Sequence, residues 1–595
     1  MATGNRTLDV WDVAQPEDLA SHIANQYVEW ESMRNQWLEE KAEIRSYIFA
    51  TDTSGTTNES LPWKNSVHIP KLCQIRDNLN ANYMAALFPN DHPIKWEGDD
   101  ESSEAKQKRE VIEAYMANKL RMGQYRGVVQ QLVNDYIDYG NVFAMTEFVA
   151  EESEDPITGD KVPGFVGPRV VRISPNDIVF NPTAATFADT PKIIRELRTL
   201  GSLKADIEDR PESKYLEEVF GRVMALRHKF AGLSQGDFKK SNAYAMDGFG
   251  SFLEYFQSEY VELLHFYGNL YDPKTQEFHK NRVITIVDRC YVLRNEPVNT
   301  WNGRPNIFHC GWRLRPDNLY AMGPLDNLVG MQYRIDHLEN AKSDAFDLII
   351  HPVMKVKGYV EDFEYGPGER IYCGDEGDVE FQSPDTTMLN ADTQIALYEA
   401  KMEEMAGAPK QAMGFRTPGE KTAYEVQVLE NGANRVFLNK SSYFEEMFLE
   451  PLLNSMLEIS RRNMGPSDLI KVIDDQYGVA EFMKITREDI AARGKIRPIG
   501  ARRFARNANI LQNLTQLASS PLGQDAAINS HISGIKLAKL IEELLDLERF
   551  DLVQENIRIA ELLETEKLKQ SAQQMVMEQG MPEGATPMVQ QPPQV

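Results

Sequence analysis

From Pro16 to Ile48 the apolar positions Leu19, Ile23, Tyr27, Trp30, Trp37, Ile44 and Ile48 recur mostly at spacings of three and four. That period predicts one long amphipathic helix. The polar stretch TDTSGTTNESLPWKN breaks it. A second helix is predicted over Pro70 to Leu87, closed by FPNDHP, whose prolines bar continuation. A helical pair follows from Ser103 to Tyr139 and stops at Gly140, so 1–140 reads as an N-terminal helical part.

The period then shifts to two. NVFAMTEFVAEE, RVVRISPNDIVFNP, YVELLHFYGNLYD and HKNRVITIVDRCYVL are rich in β-branched and aromatic residues, with DPITGD and YDPKTQ supplying turns. Together with a helical insertion near 203–233, they make 141–322 a mixed α+β region, mostly antiparallel.

From Gly323 the helical period returns over 323–349. Leu325, Leu328, Val329, Ile335, Leu338, Ala341, Ala345 and Leu348 share one face, while the other carries Asp326, Asp336, Glu339, Asp344 and Asp347. A glycine-rich module with small strands occupies 350–388, a further helix 389–406 and a connection 407–422. A very long helix from Ala423 to Asn463 and a small β segment fill 423–500. Helices are expected over 501–570, and the Gln-, Pro- and Gly-rich tail 571–595 is expected to be disordered. The fold class expected is α+β.

At 595 residues the chain exceeds one hydrophobic core and implies several sub-domains of about 100–200 residues. No apolar run approaches the roughly 20 residues that span a bilayer, and the N-terminus lacks the pattern of a secretory signal. The expectation is a soluble protein made in a reducing cytoplasm, with no membrane partner. The four cysteines are far apart, without C-x-x-C spacing, and the histidines form no ligand cluster, so neither metal nor cofactor is expected. His309 and Cys310 read as buried packing. A net charge of −26 argues against a protein that grips nucleic acid tightly.

The stretch GFRTPGEKT, Gly414 to Thr422, is a near miss to a phosphate-binding loop. Such a loop needs a buried strand before it and a cation beside the phosphates. Here a polar helix precedes it and Glu420 stands in place of the cation, so Thr422 reads instead as a helix cap, with Glu425 completing a capping box. The connection 407–422 exceeds the usual 2–8 residues between packed helices and carries Lys410, Arg416 and Lys421. Two more features stand out. Arg493, Lys495, Arg497, Arg502, Arg503 and Arg506 form the densest basic cluster, either a DNA-facing surface or a solvated turn that pairs with neighbouring carboxylates. The acidic face of 323–349 is either solvated or, in a ring of copies, a negative wall. No nucleophile signature supports catalysis.

The order of these features resembles the portal proteins (head-to-tail connectors) of tailed bacteriophages, in a podovirus-like form. ANYMAALFPND, with Leu87, Phe88 and Pro89, is similar to that family's helix ending in LFP. DYGNVFAMTEF, with Gly140 and Asn141, resembles the junction that opens the wing, and RISPNDIVFNPTA its strand and turn. YAMGPLDNLVGMQYRIDHLENA resembles the start of the first stem helix (323–349). GAPKQAMGFRTPGEKT stands where the tunnel loop (407–422) falls, and TAYEVQVLENGANRVFLNKSSYFEEMFLEPLLNSMLEI resembles the long helix after it.

The resemblance implies a portal fold with a mostly helical wing and crown, a mixed antiparallel β wing, a two-helix stem (323–349 and 389–406) and a small α/β clip (350–388). It implies a non-enzymatic homododecamer at one capsid vertex of the virion, through which double-stranded DNA is packaged and ejected. Its implied partners are the terminase large subunit, major capsid and scaffolding proteins, and a tail adaptor. Lys410, Gln411, Phe415, Arg416, Thr417 and Lys421 would then face DNA from the tunnel loop, with Asp336, Glu339, Asp344 and Asp347 on the stem wall. Lys355, Lys357, Glu361, Asp362, Glu369 and Arg370 would serve clip docking. The rival readings are a nucleoside triphosphatase using 414–422 and another oligomeric head or tail adaptor.

Overall fold

The computed structural model describes residues 17–50, 65–89, 94–98, 103–154, 161–208, 217–230, 258–271, 276–298, 303–362, 370–382, 390–406, 436–473, 480–491, 494–500 and 534–544, with a few isolated positions besides. The chain divides into two units, Met1–Ala501 and Arg502–Val595. The first is a mixed α+β assembly whose sheets are antiparallel.

Helix α1 (Asp18–Phe49) buries one face along its whole length. The apolar run Trp30, Trp37, Ile44 has steps of seven, and the intervening places on that face are filled by Arg34 and Lys41, both buried. Each cation has a partner: Arg34 donates to the carbonyls of Asn176 and Ile178, and Lys41 to Asp326. A buried charge persists only when paired in this way. One end of α1 packs on a five-stranded sheet, its middle on a cluster around Phe143, Phe180 and Tyr320, and its far end on the main helical core.

That main core joins α2 (Lys71–Leu87), α3 (Ser103–Met122), α4 (Tyr125–Asp138) and α9 (Glu450–Asn463). Tyr83 and Tyr136 meet edge to face at 5.9 Å, and the Tyr83 hydroxyl accepts from Trp312 Nε1 at 3.1 Å. A π-helical segment, Glu445–Leu449, precedes α9, and Pro451 follows one residue into it. Proline has no N–H for the regular ladder, which accounts for the local widening.

The β elements are β1 (Ile94–Gly98), β2 (Asn141–Glu154), β3 (Lys161–Ile173), β4 (Ile178–Phe180), β5 (Lys192–Thr199), β6 (Tyr260–Tyr271), β7 (Phe278–Val287), β8 (Tyr291–Pro297) and β9 (Ile307–Gly311), with α5 (Leu200–Glu208) and α6 (Glu217–Phe230) inserted after β5. They form a sheet of order β4-β5-β6-β7-β8 and another of order β3-β2-β9. A small ladder pairs β10 (Arg313–Arg315) with β11 (Asn318–Met322). The β7–β8 turn places Asp288 and Arg289 at φ 49° and 59°, the left-handed pair that a tight hairpin requires, without any glycine. Both side chains are buried in ion pairs, Asp288 with Arg227 and Arg289 with Glu262.

At the α4–β2 junction Gly140 has φ 68°, and a Cβ there would stand 2.3 Å from the backbone nitrogen of Gly323. Only glycine fits both the conformation and the approach. Residues 323–328 then turn rather than extend a helix: Asp326 accepts the Gly323 N–H at 2.9 Å while taking the Lys41 ammonium. The helix expected from Gly323 therefore starts six residues later, as α7 (Val329–Ile350), and Asp326 is an anchor of the turn. Beyond α7 lie β12 (Val353–Lys357), β13 (Asp378–Gln382) and α8 (Ala391–Ala406). A hairpin of β14 (Ser467–Ile473) and β15 (Ala480–Thr486) matches the small β segment read from the sequence, and β16 (Gly494–Pro498) pairs with β1.

Of the expected long helix 423–463, residues 436–463 are helical and 423–435 lie outside the described residues. In the second unit the described helix is α10 (Gly534–Leu544), within the 501–570 helical expectation. The tail 571–595 lies outside the described residues.

Candidate functional site

Two helices leave the main core and return to it, with a β module at the turn. Lys71 on α2 pairs with Glu403 on α8 at 2.7 Å, close to where Gln332 of α7 accepts the Leu72 N–H. Ten residues along α7, Lys342 pairs with Asp392 at 2.8 Å. Residue numbers rise on one helix as they fall on the other, so α7 and α8 are antiparallel partners.

Burial decays along this hairpin. At its base Gln332, Ile335, Met402 and Ala406 are almost wholly inaccessible. At its far end Phe346, Leu348 and Ile350 are 43%, 42% and 60% exposed. Leu348, read from the periodicity as a core-facing position, is therefore open to solvent.

The module beyond is a two-stranded antiparallel ladder in register Val353↔Gln382 to Lys357↔Asp378. All of β12 is exposed, and apolar side chains stand on both faces, Val353 on one and Met354 with Val356 on the other. Tyr359, Tyr372 and Phe381 are exposed as well. The cross-strand pairs Lys355↔Glu380 and Lys357↔Asp378 set opposite charges side by side, the first at 3.3 Å. An isolated two-stranded hairpin is marginal in water. The module presents apolar side chains that stand open to solvent in the single chain. Glu361, Asp362 and Arg370 stand exposed beside it, and Glu369 lies outside the described residues. Beyond the end of α7 at Ile350, the described part of 351–388 holds strands and turns.

Within the acidic stripe of α7, Asp336 is corrected by the structure. Asp336 is fully buried: its Oδ1 accepts the Ile69 N–H at 3.1 Å and its Oδ2 lies 2.7 Å from His68 Nδ1. Asp344 accepts two N–H groups of Asn65, and Asp347 accepts from the Asn65 side-chain amide at 3.0 Å. Glu339 pairs with Lys342 at 3.2 Å. The stripe is mainly a docking face for the 65–69 segment, which periodicity alone had no means to place.

The basic cluster is only partly described. Lys495 and Arg497 sit on β16 opposite Glu97 and Lys95, and Arg497 pairs with Glu97 at 2.9 Å, the behaviour of a solvated edge. Arg493, Arg502, Arg503 and Arg506 lie outside the described residues, as do Lys410, Gln411, Phe415, Arg416, Thr417 and Lys421.

A cleft of about 600 Å³ lies between 304–309, one face of α9 and β16, and sequence reasoning missed it. Its charges mix Arg304, Arg461 and Lys495 with Glu450 and Glu458. Beside it His309 is stacked on Phe143, and burial followed by the nearby Lys192 charge pushes its imidazole down to about 3. Cys310 is buried, its thiol pushed up to about 12 by burial. Among the described residues no group of histidine, cysteine and carboxylate side chains is arranged to hold a metal ion, and no helix is long and apolar enough to cross a membrane.

Compared with protein families and with curated proteins, the chain finds no match. The functional reading therefore rests on the sequence motifs and on the geometry of the hairpin.

Proposed function

We propose that this chain is the subunit of a phage portal ring, a non-enzymatic homododecamer through which double-stranded DNA enters and leaves the capsid. The observation that carries the reading is the hairpin α7–α8 with its module β12–β13, apolar on both faces and open to solvent in the single chain. Surfaces of that kind mark association sites. A ring of copies supplies the cover, each module being flanked by its two neighbours.

The order of the sequence motifs supports the same reading, and in it the hairpin is the stem and the module the clip. Lys355, Lys357, Glu361, Asp362 and Arg370 then present paired charges to a docking partner, first the terminase large subunit and afterwards a tail adaptor. The loop 407–422 restrains DNA through Lys410, Arg416 and Lys421. The stem wall draws no charge from Asp336, which is spent inside the subunit. A net charge of −26 per chain keeps the bore from holding DNA tightly.

Mass photometry over a range of salt concentrations tests the reading. The expected species has twelve times the 67.8 kDa chain mass, and a monomer at all salts would contradict it. The rival triphosphatase reading is tested by ATP hydrolysis in the wild type and in Lys421→Ala. No hydrolysis is expected from either, and activity lost in the variant would favour the rival.

A further inference from the structure

Residues 65–69, neither helix nor strand, run along α7, held by a ladder of its side chains. Asp344 Oδ1 accepts the Asn65 backbone N–H at 3.0 Å. Asn340 uses both ends of its amide on Val67, accepting the N–H at 2.7 Å and donating to the carbonyl at 3.1 Å. Gln332 Nε2 donates to the Ile69 carbonyl at 2.6 Å, while Asp336 Oδ1 accepts the Ile69 N–H. Steps of four on a helix advance about 6 Å and steps of two along an extended chain about 6.6 Å, so the two repeats stay in register over this length.

Between these rungs His68 turns inward and is buried. Its Nε2 lies 3.1 Å from the Tyr47 carbonyl, which can only accept, so Nε2 carries hydrogen. Its Nδ1 lies 2.7 Å from Asp336 Oδ2. Asp336 Oδ1 already takes two N–H groups, from Ile69 and from Gln332 at 3.0 Å. A carboxylate facing Nδ1 calls for a proton there too. The geometry is that of an imidazolium.

We propose that His68 is a proton-controlled clasp: protonated, it locks the 65–69 strap onto α7, and deprotonated, it turns a lone pair on the Asp336 carboxylate and releases the strap. Among the described residues, Asp336 of α7 faces the ring, Glu43 and Tyr333 act together with Asp336 on Tyr47, whose carbonyl the ring meets, and Asp344 and the Lys71–Glu403 pair stand at the two ends of the strap. Burial, then Glu43 and Asp336, push the Tyr47 phenol up to about 12, so it stays neutral across the range that matters.

The sign follows from linkage. In this proposal the proton, held between a carboxylate and a carbonyl, is bound more firmly in the folded chain than in the unfolded one, so the clasp closes at low pH and is lost as pH rises past the ordinary histidine range. Each unit of elevation corresponds to about a tenfold change in strap opening.

Two mass-spectrometric readouts on the full chain test the clasp. Exchange of the histidine ring C–H gives the pKa of His68 itself, and amide exchange over 65–72, corrected for intrinsic rates, gives strap protection. A ring pKa above 6.5 is expected, with protection falling about tenfold or more as pH passes through it. Asp336→Asn is expected to bring the ring to 6.5 or below and to remove the pH step. A wild-type ring pKa at or below 6.5, or flat protection from pH 6 to pH 9, overturns the proposal even if the variant fails to fold. Neither readout requires a ring, so failure here and failure of the portal reading are separable.

Discussion

Replacing Val356, Tyr359 and Phe381 together by serine probes the β12–β13 module directly. In the single chain these side chains are 55%, 77% and 40% exposed, so the substitutions remove little of its own core. The isolated subunit should keep its stability to within about 0.5 kcal/mol per site. In the proposed ring the exposed portions would become covered. Complete burial of such a side chain contributes about 1.5–3 kcal/mol, and the portion still exposed here is roughly half, so each contributes about 1 kcal/mol to association. The triple variant should weaken the subunit contact by about 3 kcal/mol, roughly a hundredfold in dissociation constant. Sedimentation velocity over a dilution series reads the association, and thermal unfolding of the dissociated chain reads the stability. Association as tight as wild type, or a marked fall in the stability of the single chain, would refute the reasoning.

Gly140→Ala should destabilise the first unit by at least about 1–2 kcal/mol, the cost of the left-handed conformation, with the close approach to Gly323 adding to it; chemical denaturation measures this. Lys71→Met removes the ammonium that lies 2.7 Å from the buried Glu403 carboxylate and should cost about 3 kcal/mol, much of it recovered in the double variant Lys71→Met/Glu403→Met, as a double-mutant cycle will show. Burial alone would raise the Glu196 carboxyl, but the hydrogen bond and charge of His265, joined by Arg198, hold it down at about 2. That depressed value contributes stability above about pH 4.5 that is lost as pH falls toward 2. Glu196→Gln should therefore flatten the acid side of a stability–pH profile.

The helices α1, α2, α3 and α4 were legible because their apolar period is long and their ends carry strong stops, Phe88-Pro89 and Gly140 among them. The hairpin β14–β15 was legible from alternation around a turn. The β7–β8 turn was not, because Asp288 and Arg289 take left-handed angles that sequence assigns to Asn-Gly, and their ion pairs come from distant residues. Arg34 and Lys41 look like breaks in the core face of α1, since burial of a cation depends on partners such as Asp326 that no local window contains.

The same limit explains the stripe on α7. Asp336, Glu339, Asp344 and Asp347 read as an acidic face, either solvated or a negative wall in a ring of copies. The partners of Asp336, Asp344 and Asp347 lie near residue 67, 268 positions from Asp336 in the case of His68. Only the folded chain reveals that polar periodicity here is a packing surface. The cleft beside α9 escaped for a like reason, its walls coming from 304–309, 447–461 and 494–495.

End-on electron micrographs of the purified full-length protein test the portal reading most directly. Rings with a central opening and twelvefold symmetry are expected, with the β12–β13 modules of neighbouring subunits in contact. A monodisperse single chain, or a closed particle without a bore, would contradict it.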